Sequence, residues 1–308
     1  MQDNRLFVAF NIDCEASQPA VDDLALGERA TRGFADILEQ YDLRGSFEVL
    51  PSDIEPHAAI YRDLRQRGHE IGLHVHPATD GYEEFLGVYG PDMQHQILGE
   101  ATDRHAQVMG RPPESIVVGY ASINDYTYGV LSELGYRHGT CSIPTRVLPE
   151  CASIHGGSPL DTHYAHAYNR ALVGDLDFVE IPVTVDPESR MWGGKHPQDL
   201  RVELVDAKNH WYTINKAIER QIAQDVSIKC LRPLTHNIFD FSDPHDFRHQ
   251  TLIGMIEHIQ AIAAAHDLQI VTRATGVEIA AAYRAAVPLG ANTTRLERDL
   301  RGYGQPSS

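Results

Sequence analysis

The sequence FNIDCE at residues 10–15 and the sequence GHEIGLHVHP at residues 68–77 decide the fold of this 308-residue chain. Each stretch begins as a hydrophobic strand and ends in acidic or histidine side chains. An α/β barrel places its reactive groups at such strand ends. We therefore predict that the two stretches are strands of one structure and contribute the two halves of one site.

Strand and helix patterns alternate along the N-terminal quarter of the chain. Residues 6–12 form a nearly unbroken apolar run, which is typical of a strand buried on both faces. Apolar residues at helical spacing follow over 22–41. A strand over 45–50, a helix over 54–67 and a strand over 70–75 come next. This alternation predicts a parallel α/β sheet or barrel.

The rest of the chain continues the alternation, with an irregular excursion in the middle. We predict helices over 92–109, 124–135, 200–224, 247–266 and 275–286, and strands over 115–118, 178–183, 226–234 and 268–272. Residues 142–175 are rich in Pro, Gly, His and Tyr and predict loops or short strands, and residues 186–197 predict another loop. Residues 1–287 are then one barrel domain, and residues 288–308 a tail or surface arm.

The charge balance excludes some classes of partner. The formal net charge is −17, whereas proteins that follow a phosphate backbone concentrate Lys and Arg. Nucleic acids and other acidic polymers are therefore not expected as partners or substrates. No signal-peptide pattern or membrane-length apolar run is present in the sequence, and the four cysteines are scattered, so we expect a cytoplasmic protein with reduced thiols.

Two pairs of polar residues suggest a metal site. Residues two apart in a strand point to the same side, so Asp13 projects with Glu15, and His74 with His76. Such a set suits a divalent metal with open coordination positions, and leaves one carboxylate free to accept a proton from water. Asp13 could instead cap a turn, and histidine pairs of this spacing also occur as ordinary buried or surface residues. The matching strand-end context of the two pairs favours the metal.

Three other positions have two interpretations each. Glu48, inside a predicted strand, could line the cavity or face solvent. Trp192 lies beside two glycines and could stack against a sugar, although a loop anchored by one buried Trp is the commoner arrangement. His236 follows a predicted strand, where it could serve a site or only hydrogen-bond to the neighbouring loop.

Taken together, the elements and motifs resemble the polysaccharide deacetylase family, also called the NodB-homology family or carbohydrate esterase family 4. The resemblance runs from Leu6 to about Tyr283 and implies a distorted (β/α)7 barrel. The motifs that carry it are Asp13 with Glu15, residues 68–74 before the metal histidines, residues 119–125 with 131–136, the Glu-Ile-Pro-Val strand at 180–183, and Leu-Thr-His at 234–236.

The resemblance also implies roles for six residues. They are metal binding for Glu15, His74 and His76, proton acceptance for Asp13, oxyanion stabilisation by the backbone at Tyr120, and protonation of the leaving amine by His236. The implied metal is Zn²⁺, with Co, Ni, Fe and Mn as alternatives.

Two departures from the family pattern are visible. The usual second motif has its histidines four apart, whereas this chain has Ala78 at that position and its second histidine at His76. Many members carry an Arg beside the third motif that orients the base, and this chain has Val117 there. These departures leave the metal geometry open.

The resemblance predicts a metal-dependent hydrolase that removes an acetyl group from an N-acetylated sugar or related small amide. Hydrolysis of another non-peptide C–N bond, such as that of a cyclic amide, is an alternative. A catalytically degenerate member that binds a carbohydrate or a partner protein is another. The expected partner is a small-molecule or carbohydrate substrate, with no nucleic acid or membrane, and the sequence predicts no oligomeric state.

Overall fold

The structure of the protein is a computed structural model, of which residues 3–294 are described. Its helices are α1 (Leu24–Gln40), α2 (Pro51–Gln66), α3 (Pro91–Met109), α4 (Thr127–Glu133), α5 (Ala207–Ala223), α6 (Phe247–Ala265) and α7 (Gly276–Ala286). Its strands are β1 (Arg5–Val8), β2 (Phe10–Cys14), β3 (Gly45–Val49), β4 (Glu70–Val75), β5 (Ile116–Val118), β6 (His138–Gly139), β7 (Val147–Leu148), β8 (Ser153–Ile154), β9 (His163–Tyr164), β10 (Val179–Glu180), β11 (Val185–Met191), β12 (His196–Asp199), β13 (Lys229–Leu231), β14 (Leu234–His236) and β15 (Gln269–Val271).

The strands form a mainly parallel sheet that curls on itself. Five of them lie in the order β14-β2-β3-β4-β5, all parallel, and β1 lies between β13 and β15, also parallel. Only Ala9 separates β1 from β2, and its N–H donates to the carbonyl of Leu231 at 3.1 Å. The N–H of Asn11 donates to the carbonyl of Pro233 at 2.8 Å. The two sheets are therefore joined along the first strand, and the half-barrel continues through them.

The main core lies between this sheet and the helices outside it. Every residue of β2, β3 and β4 is buried, as expected for parallel strands covered on both faces. Phe34 of α1 packs edge-on against Phe47 of β3 and against Phe241, with ring centroids 5.8 and 5.5 Å apart. The predicted helices and strands of the N-terminal quarter are confirmed to within a few residues.

The interior of the half-barrel is polar. Arg232 is 1% exposed, and its guanidinium donates to Thr140 Oγ1 at 3.0 Å, Ser46 Oγ at 2.9 Å and Asn11 Oδ1 at 2.9 Å. The carboxylate of Glu48 lies 3.7 Å from the same guanidinium. A buried cation with several partners ties the strands together, since each partner would otherwise lose a hydrogen bond.

Two glutamates share this interior. Glu48 is fully buried, so the alternative that it faces solvent is wrong. Burial and the neighbouring Glu70 raise the pKa of Glu48 well above its usual range. Glu70 accepts hydrogen bonds from His138 at 2.6 Å and from the N–H of Gly276 at 2.8 Å. Burial acts against ionisation of Glu70, but His138 and Arg232 outweigh it and lower the pKa of this carboxyl to about 2.

Residues 186–197, predicted as a loop, are instead largely an antiparallel hairpin. β11 pairs with β12, and a short turn at Trp192–Gly194 joins them. Trp192 is 47% exposed and stacks on the buried ring of His196, with centroids 4.2 Å apart. The interpretation of Trp192 as a buried anchor is therefore wrong, and its contact with a sugar stays a prediction.

The helix predicted over 200–224 begins later, at Ala207. Asp206 caps it by accepting a hydrogen bond from the N–H of Asn209 at 2.9 Å. Residues 200–206 instead lie beside β14, where the N–H of Leu234 donates to Leu200 at 3.0 Å and the N–H of Val202 donates to Leu234 at 2.9 Å. This pairing brings Arg201 and Glu203 to the end of β14, which a continuous helix would not do.

The C-terminal tail and the absence of a membrane-length apolar run are the two remaining predictions. Residues 288–294 are described, and the N–H of Thr294 donates to the carbonyl of Val173 at 2.9 Å. The rest of the predicted tail, residues 295–308, lies outside the described residues, so the domain division stays a prediction. No helix within residues 3–294 is long and apolar enough to cross a membrane.

Candidate active site

The six residues that the sequence analysis singled out all line one cavity. It has a volume of about 140 Å³ and lies where β2, β4, β5 and β14 end. Parallel strands of an α/β barrel bring their reactive groups to this edge. The six residues are Asp13, Glu15, His74, His76, Tyr120 and His236.

Three of them form a cluster that could hold a metal ion. The ligand atoms of Glu15, His74 and His76 lie within 4.8 Å of one another. Oε2 of Glu15 is 3.2 Å from Nε2 of His74 and 3.0 Å from Nε2 of His76. Tetrahedral ligands about 2.1 Å from an ion are about 3.4 Å apart, so this spacing fits one divalent cation. A carboxylate with two imidazoles leaves at least one coordination position for water or substrate.

The second nitrogen of each imidazole has its own partner. Nδ1 of His74 lies 3.3 Å from the carbonyl oxygen of Val117, and Nδ1 of His76 contacts the carboxylate of Glu84. Metal-binding histidines usually have such a partner, which fixes the ring orientation and aims the other nitrogen at the ion. His76 therefore points at the cluster although its spacing from His74 differs from the family pattern.

The charges around the cluster favour a cation. Burial lowers the pKa of His76, but Glu15 and Glu84 outweigh it and raise that pKa to about 9. A bound ion would therefore take the place of the proton between His76 and Glu15. Burial acts against ionisation of Glu15, but hydrogen bonds from His74 and His76 outweigh it and lower its pKa well below the usual range. Glu15 is thus an ionised carboxylate at neutral pH, as a metal ligand must be.

Gly119 makes room for His76. A Cβ atom at this position would lie 2.5 Å from Nε2 of His76 and within 2.8 Å of two other ring atoms. Real Cβ atoms do not approach other atoms so closely, and Glu84 and Glu15 hold the ring in place from both nitrogens. A side chain at residue 119 would therefore displace the histidine from the cluster.

Asp13 is held by a buried hydrogen-bond chain. The side-chain amide of Asn11 donates to Oδ1 of Asp13 at 2.6 Å, and the amide oxygen of Asn11 accepts from Arg232 at 2.9 Å. Val117 leaves Asp13 without the arginine that many family members have. The hydrogen bonds through Asn11 fix the orientation of the Asp13 carboxylate. They lead to a guanidinium, that of Arg232.

His236 is paired with a carboxylate on its far side. Its Nδ1 lies 2.6 Å from Oε1 of Glu203, whose Oε2 accepts from Thr235 at 2.9 Å. Burial lowers the pKa of His236, but the charge of Glu203 outweighs it, with smaller contributions from Glu15 and Asp13, and raises the pKa to about 9. At neutral pH the imidazole is protonated, with Nε2 as its free donor. The alternative that His236 only hydrogen-bonds to a loop does not account for its place in the cavity wall.

Asn237 links the two halves of the site. Its side-chain oxygen accepts from the N–H of Glu15 at 2.7 Å and from the N–H of Ala16 at 3.1 Å. Gln18 adds a hydrogen bond to Oε2 of Glu15 at 2.5 Å. The position of the acidic ligand therefore depends on the residue that follows His236, 222 positions along the chain.

The other wall of the cavity carries Tyr120 and two arginines. Tyr120 adopts a left-handed backbone conformation with φ of 57°, and its carbonyl accepts from Nη1 of Arg146 at 3.0 Å. Arg201 pairs with Asp199 at 3.2 Å. Both arginines line the cavity.

The sequence analysis missed several of these residues. Asn11 could have been found, because it is a polar residue in a buried strand, two positions from Asp13. Glu203 and Arg201 were hidden in a stretch that predicted a helix. Arg146 lies in the irregular segment, where no periodicity indicates which side chains face inward.

Comparison with known proteins points to one family. A model of the polysaccharide deacetylase family matches residues 20–139, which include His74, His76 and Tyr120. The resemblance to the polysaccharide deacetylase family is confirmed. Polysaccharide deacetylases are hydrolases. The matched residues end at 139, before the stretch that contains Glu203 and His236. No curated protein matches the chain.

Three crystal structures share the fold of this chain. One protein, from Mycobacterium smegmatis and assigned as a polysaccharide deacetylase, is 19% identical, with 97% of each chain covered and a TM-score of 0.61. A second protein assigned as a polysaccharide deacetylase, from Pseudomonas aeruginosa PAO1, is 13% identical, with 93% of each chain covered and a TM-score of 0.62. The Puue allantoinase is 15% identical, with 92% of each chain covered and a TM-score of 0.60. The predicted α/β fold is confirmed, with its sheet curled into a half-barrel like the (β/α)7 barrels of NodB-type deacetylases.

Proposed function

We propose that the protein is a metal-dependent hydrolase that removes an acetyl group from an N-acetylated sugar or a related small amide. One observation carries the proposal: Glu15, His74 and His76 converge to within 4.8 Å in a cavity that Asp13 and His236 also line. A cation site, a free carboxylate and a protonated imidazole in one cavity are the groups that amide hydrolysis needs.

Glu15, His74 and His76 would hold the ion, with Zn²⁺ as the first expectation and Co, Ni, Fe and Mn as alternatives. A divalent ion bound there supplies Lewis acidity, which makes water a stronger acid near neutral pH and polarises a carbonyl. The metal and the cytoplasmic location both stay predictions.

Asp13 is the proposed proton acceptor. The hydrogen bond from Asn11 occupies Oδ1, so Oδ2 is the oxygen left to take a proton from the attacking water. The new bond joins the water oxygen to the acyl carbon. The backbone N–H of Tyr120 is the proposed donor to the oxyanion that results.

His236 is the proposed general acid. It carries a proton at neutral pH because Glu203 outweighs burial and raises its pKa to about 9. When the bond between the acyl carbon and nitrogen breaks, Nε2 of His236 gives this proton to the amine. The carboxylate of Glu203 then stabilises the orientation of the neutral imidazole through Nδ1.

The degenerate alternative rests on the two departures from the family pattern. Neither removes a group from the cavity, since His76 lies at the cluster and Asn11 holds Asp13. Opening of a cyclic amide would use the same residues, and only a substrate assay separates it from deacetylation.

The test combines metal analysis with acetate release. We expect one tightly bound transition metal per purified chain, lost in His74→Ala, and release of acetate from an N-acetylated sugar or small amide by the metal-loaded protein. A chain that binds no metal under any loading condition would exclude the mechanism. Ring opening of a cyclic amide without any acetate release would replace deacetylation by the alternative.

A further inference from the structure

Arg146 is a buried cation without a carboxylate partner. It is 4% exposed and lines the cavity. Among residues 3–294, none places a carboxylate oxygen within 4.0 Å of its guanidinium. Burial lowers the pKa of Arg146 to about 10, with a further contribution from Arg201, and the group still carries its charge at neutral pH. Burying an unpaired charge costs several kcal/mol, so a partner is expected.

Most of the donors of this guanidinium are unused. Nη1 donates to the carbonyl of Tyr120 at 3.0 Å, whereas Nε is buried and has no partner among the described residues. A guanidinium has five N–H donors in a planar fork. The other donors form no hydrogen bond within the described part of the chain, and the side chain belongs to the cavity wall.

Arg201 also has a buried Nε without a partner among the described residues, but it differs from Arg146 in having a carboxylate in contact. It lies in the same wall, but it forms an ion pair with the fully buried Asp199 at 3.2 Å. The charge of Arg201 is therefore balanced within the protein. Asp199 and Glu150 act on Arg146 only at longer range, without contact, so a carboxylate that enters the cavity would be its first direct partner.

We propose that the substrate is an N-acyl compound that carries a carboxylate, and that Arg146 binds this group. The inference rests on the proposed function and specifies its substrate class. A planar guanidinium binds a carboxylate through two parallel hydrogen bonds, which fixes the position of the substrate as well as its charge. The acyl group would then lie between Asp13 and His236, on the metal-binding side of the cavity.

The net charge of −17 does not conflict with this substrate class. Overall negative charge disfavours long polyanions, which interact with the whole surface. A single carboxylate inside the cavity responds mainly to the nearest groups, because solvent screens charges more than about 10 Å away. Arg146 and His236 are two such groups. The carboxylates of Asp13 and Glu15 also line the cavity, and the ion proposed to bind Glu15 would offset their charge.

Matched substrate pairs test the proposal. N-acetylmuramate differs from N-acetylglucosamine by a lactyl group that carries a carboxylate, and N-acetylglycine differs from N-acetylglycinamide by its carboxylate. We expect kcat/KM to favour the acidic member of one pair by roughly tenfold to hundredfold, the range of a charge-assisted hydrogen-bonded pair. The pair that shows the preference also separates a sugar acid from an amino acid. Equal kcat/KM for both members of each pair would overturn the proposal.

Arg146→Gln identifies the residue responsible. We expect kcat/KM to fall more for the acidic substrate than for the neutral one, so that the preference for the acidic member disappears. Equal decreases in kcat/KM for the acidic and the neutral substrate would mean that Arg146 only holds the Tyr120 carbonyl. That result would contradict the proposal. Arg190→Gln is the matched control, because Arg190 is exposed and its guanidinium also donates to a backbone carbonyl, that of Thr145. If Arg146→Gln does not fold, Arg146→Lys keeps the charge and is expected to retain part of the preference.

Calorimetry separates failure of this inference from failure of the proposed function. Binding of both members of each pair is measured with metal-free protein, so neither turnover nor a metal–carboxylate bond contributes. We expect tighter binding of the acid by wild type and loss of the difference in Arg146→Gln. If no substrate is hydrolysed but this difference holds, only the proposed reaction is wrong. If neither acid binds better than its neutral counterpart, the proposed role of Arg146 is wrong whatever the activity.

Discussion

At the scale of single residues, the pair of His236 and Glu203 determines the pH range in which the proposed acid can act. Burial favours the neutral imidazole, but the carboxylate 2.6 Å away outweighs it and raises the pKa of His236 to about 9. An acid with a raised pKa is protonated below that value and loses its proton as the pH rises through it. We therefore expect kcat to be maintained up to about pH 9 and to fall above it.

Glu203→Gln tests this assignment. The amide keeps a hydrogen-bond acceptor but removes the charge, so we expect the alkaline fall of kcat to move towards the ordinary imidazole pKa of about 6.5. The measurement is kcat against pH for both proteins. Glu219→Gln is the control, because Glu219 is an exposed glutamate of α5. An alkaline limb that stays at the same pH in Glu203→Gln would show that another group titrates there.

Gly119→Ala tests how the second histidine reaches the cluster. The new methyl group would overlap the ring of His76, so we expect metal affinity to fall by roughly tenfold or more, as for other lost supporting contacts of metal ligands. Metal affinity is measured by competition with a chelator. Gly99→Ala is the control, since a Cβ there meets only ordinary contacts at 3.7 Å. Unchanged affinity in Gly119→Ala would mean that His76 does not bind the ion.

The site was predictable only where its residues follow strands with clear patterns. Asp13, Glu15, His74 and His76 could be found from the alternation of side chains at two strand ends. Glu203 could not be found, because a stretch with helical periodicity after residue 200 gives no sign that its first residues pair with β14 instead. Supporting partners are chosen by tertiary contacts, and those are not local in sequence.

At the scale of elements, α7 begins with a capping box that also faces the interior of the half-barrel. Thr275 accepts from the N–H of Val277, and the carboxylate of Glu278 accepts from the N–H of Thr275 at 2.8 Å. Removing a threonine cap costs about 1 kcal/mol of stability. We expect Thr275→Ala to lower the free energy of unfolding by about that amount in urea titrations.

Thr275→Ser is the matched control for the cap. It keeps the hydroxyl and loses only the methyl group, so its stability is expected to lie closer to that of wild type. An equal loss in both variants would assign the effect to packing of the methyl group.

Elements with one clear hydrophobic periodicity were predicted well. Segments whose structure depends on pairing with another strand were not. The bounds of α1 and α6 differ from the predicted ones by no more than two residues, because each is delimited by a cap and a turn. The hairpin of β11 and β12 was missed because Pro187, Gly193 and Gly194 indicate a loop, while the pairing that forms the strands depends on the opposite strand.

At the scale of the whole molecule, Arg232 holds the strands of the half-barrel together from inside. Arg232→Met would remove its hydrogen bonds to Asn11, Ser46 and Thr140 and the charge that stabilises the ionised Glu70. Breaking a buried ionic network by removing one partner typically costs 3–5 kcal/mol, and we expect a loss of about that size. The measurement is the free energy of unfolding in urea.

Arg190→Met is the control for this substitution, because Arg190 is exposed and its loss should change stability by less than about 0.5 kcal/mol. If Arg232→Met lost no more stability than this control, the polar interior would not be a source of stability.

The first strand has a consequence for synthesis of the protein. β1 and β2 are translated long before β13 and β14, their neighbours on one side, which begin at Lys229 and Leu234. A nascent chain that has emerged only to residue 228 therefore exposes the unpaired edge of strands that are buried in the folded protein. Unpaired strand edges associate readily with other chains. Ribosome-bound intermediates of this protein are accordingly the species in which we expect chaperone binding or aggregation. Both should cease once β15, the other neighbour of β1, has emerged from the ribosome.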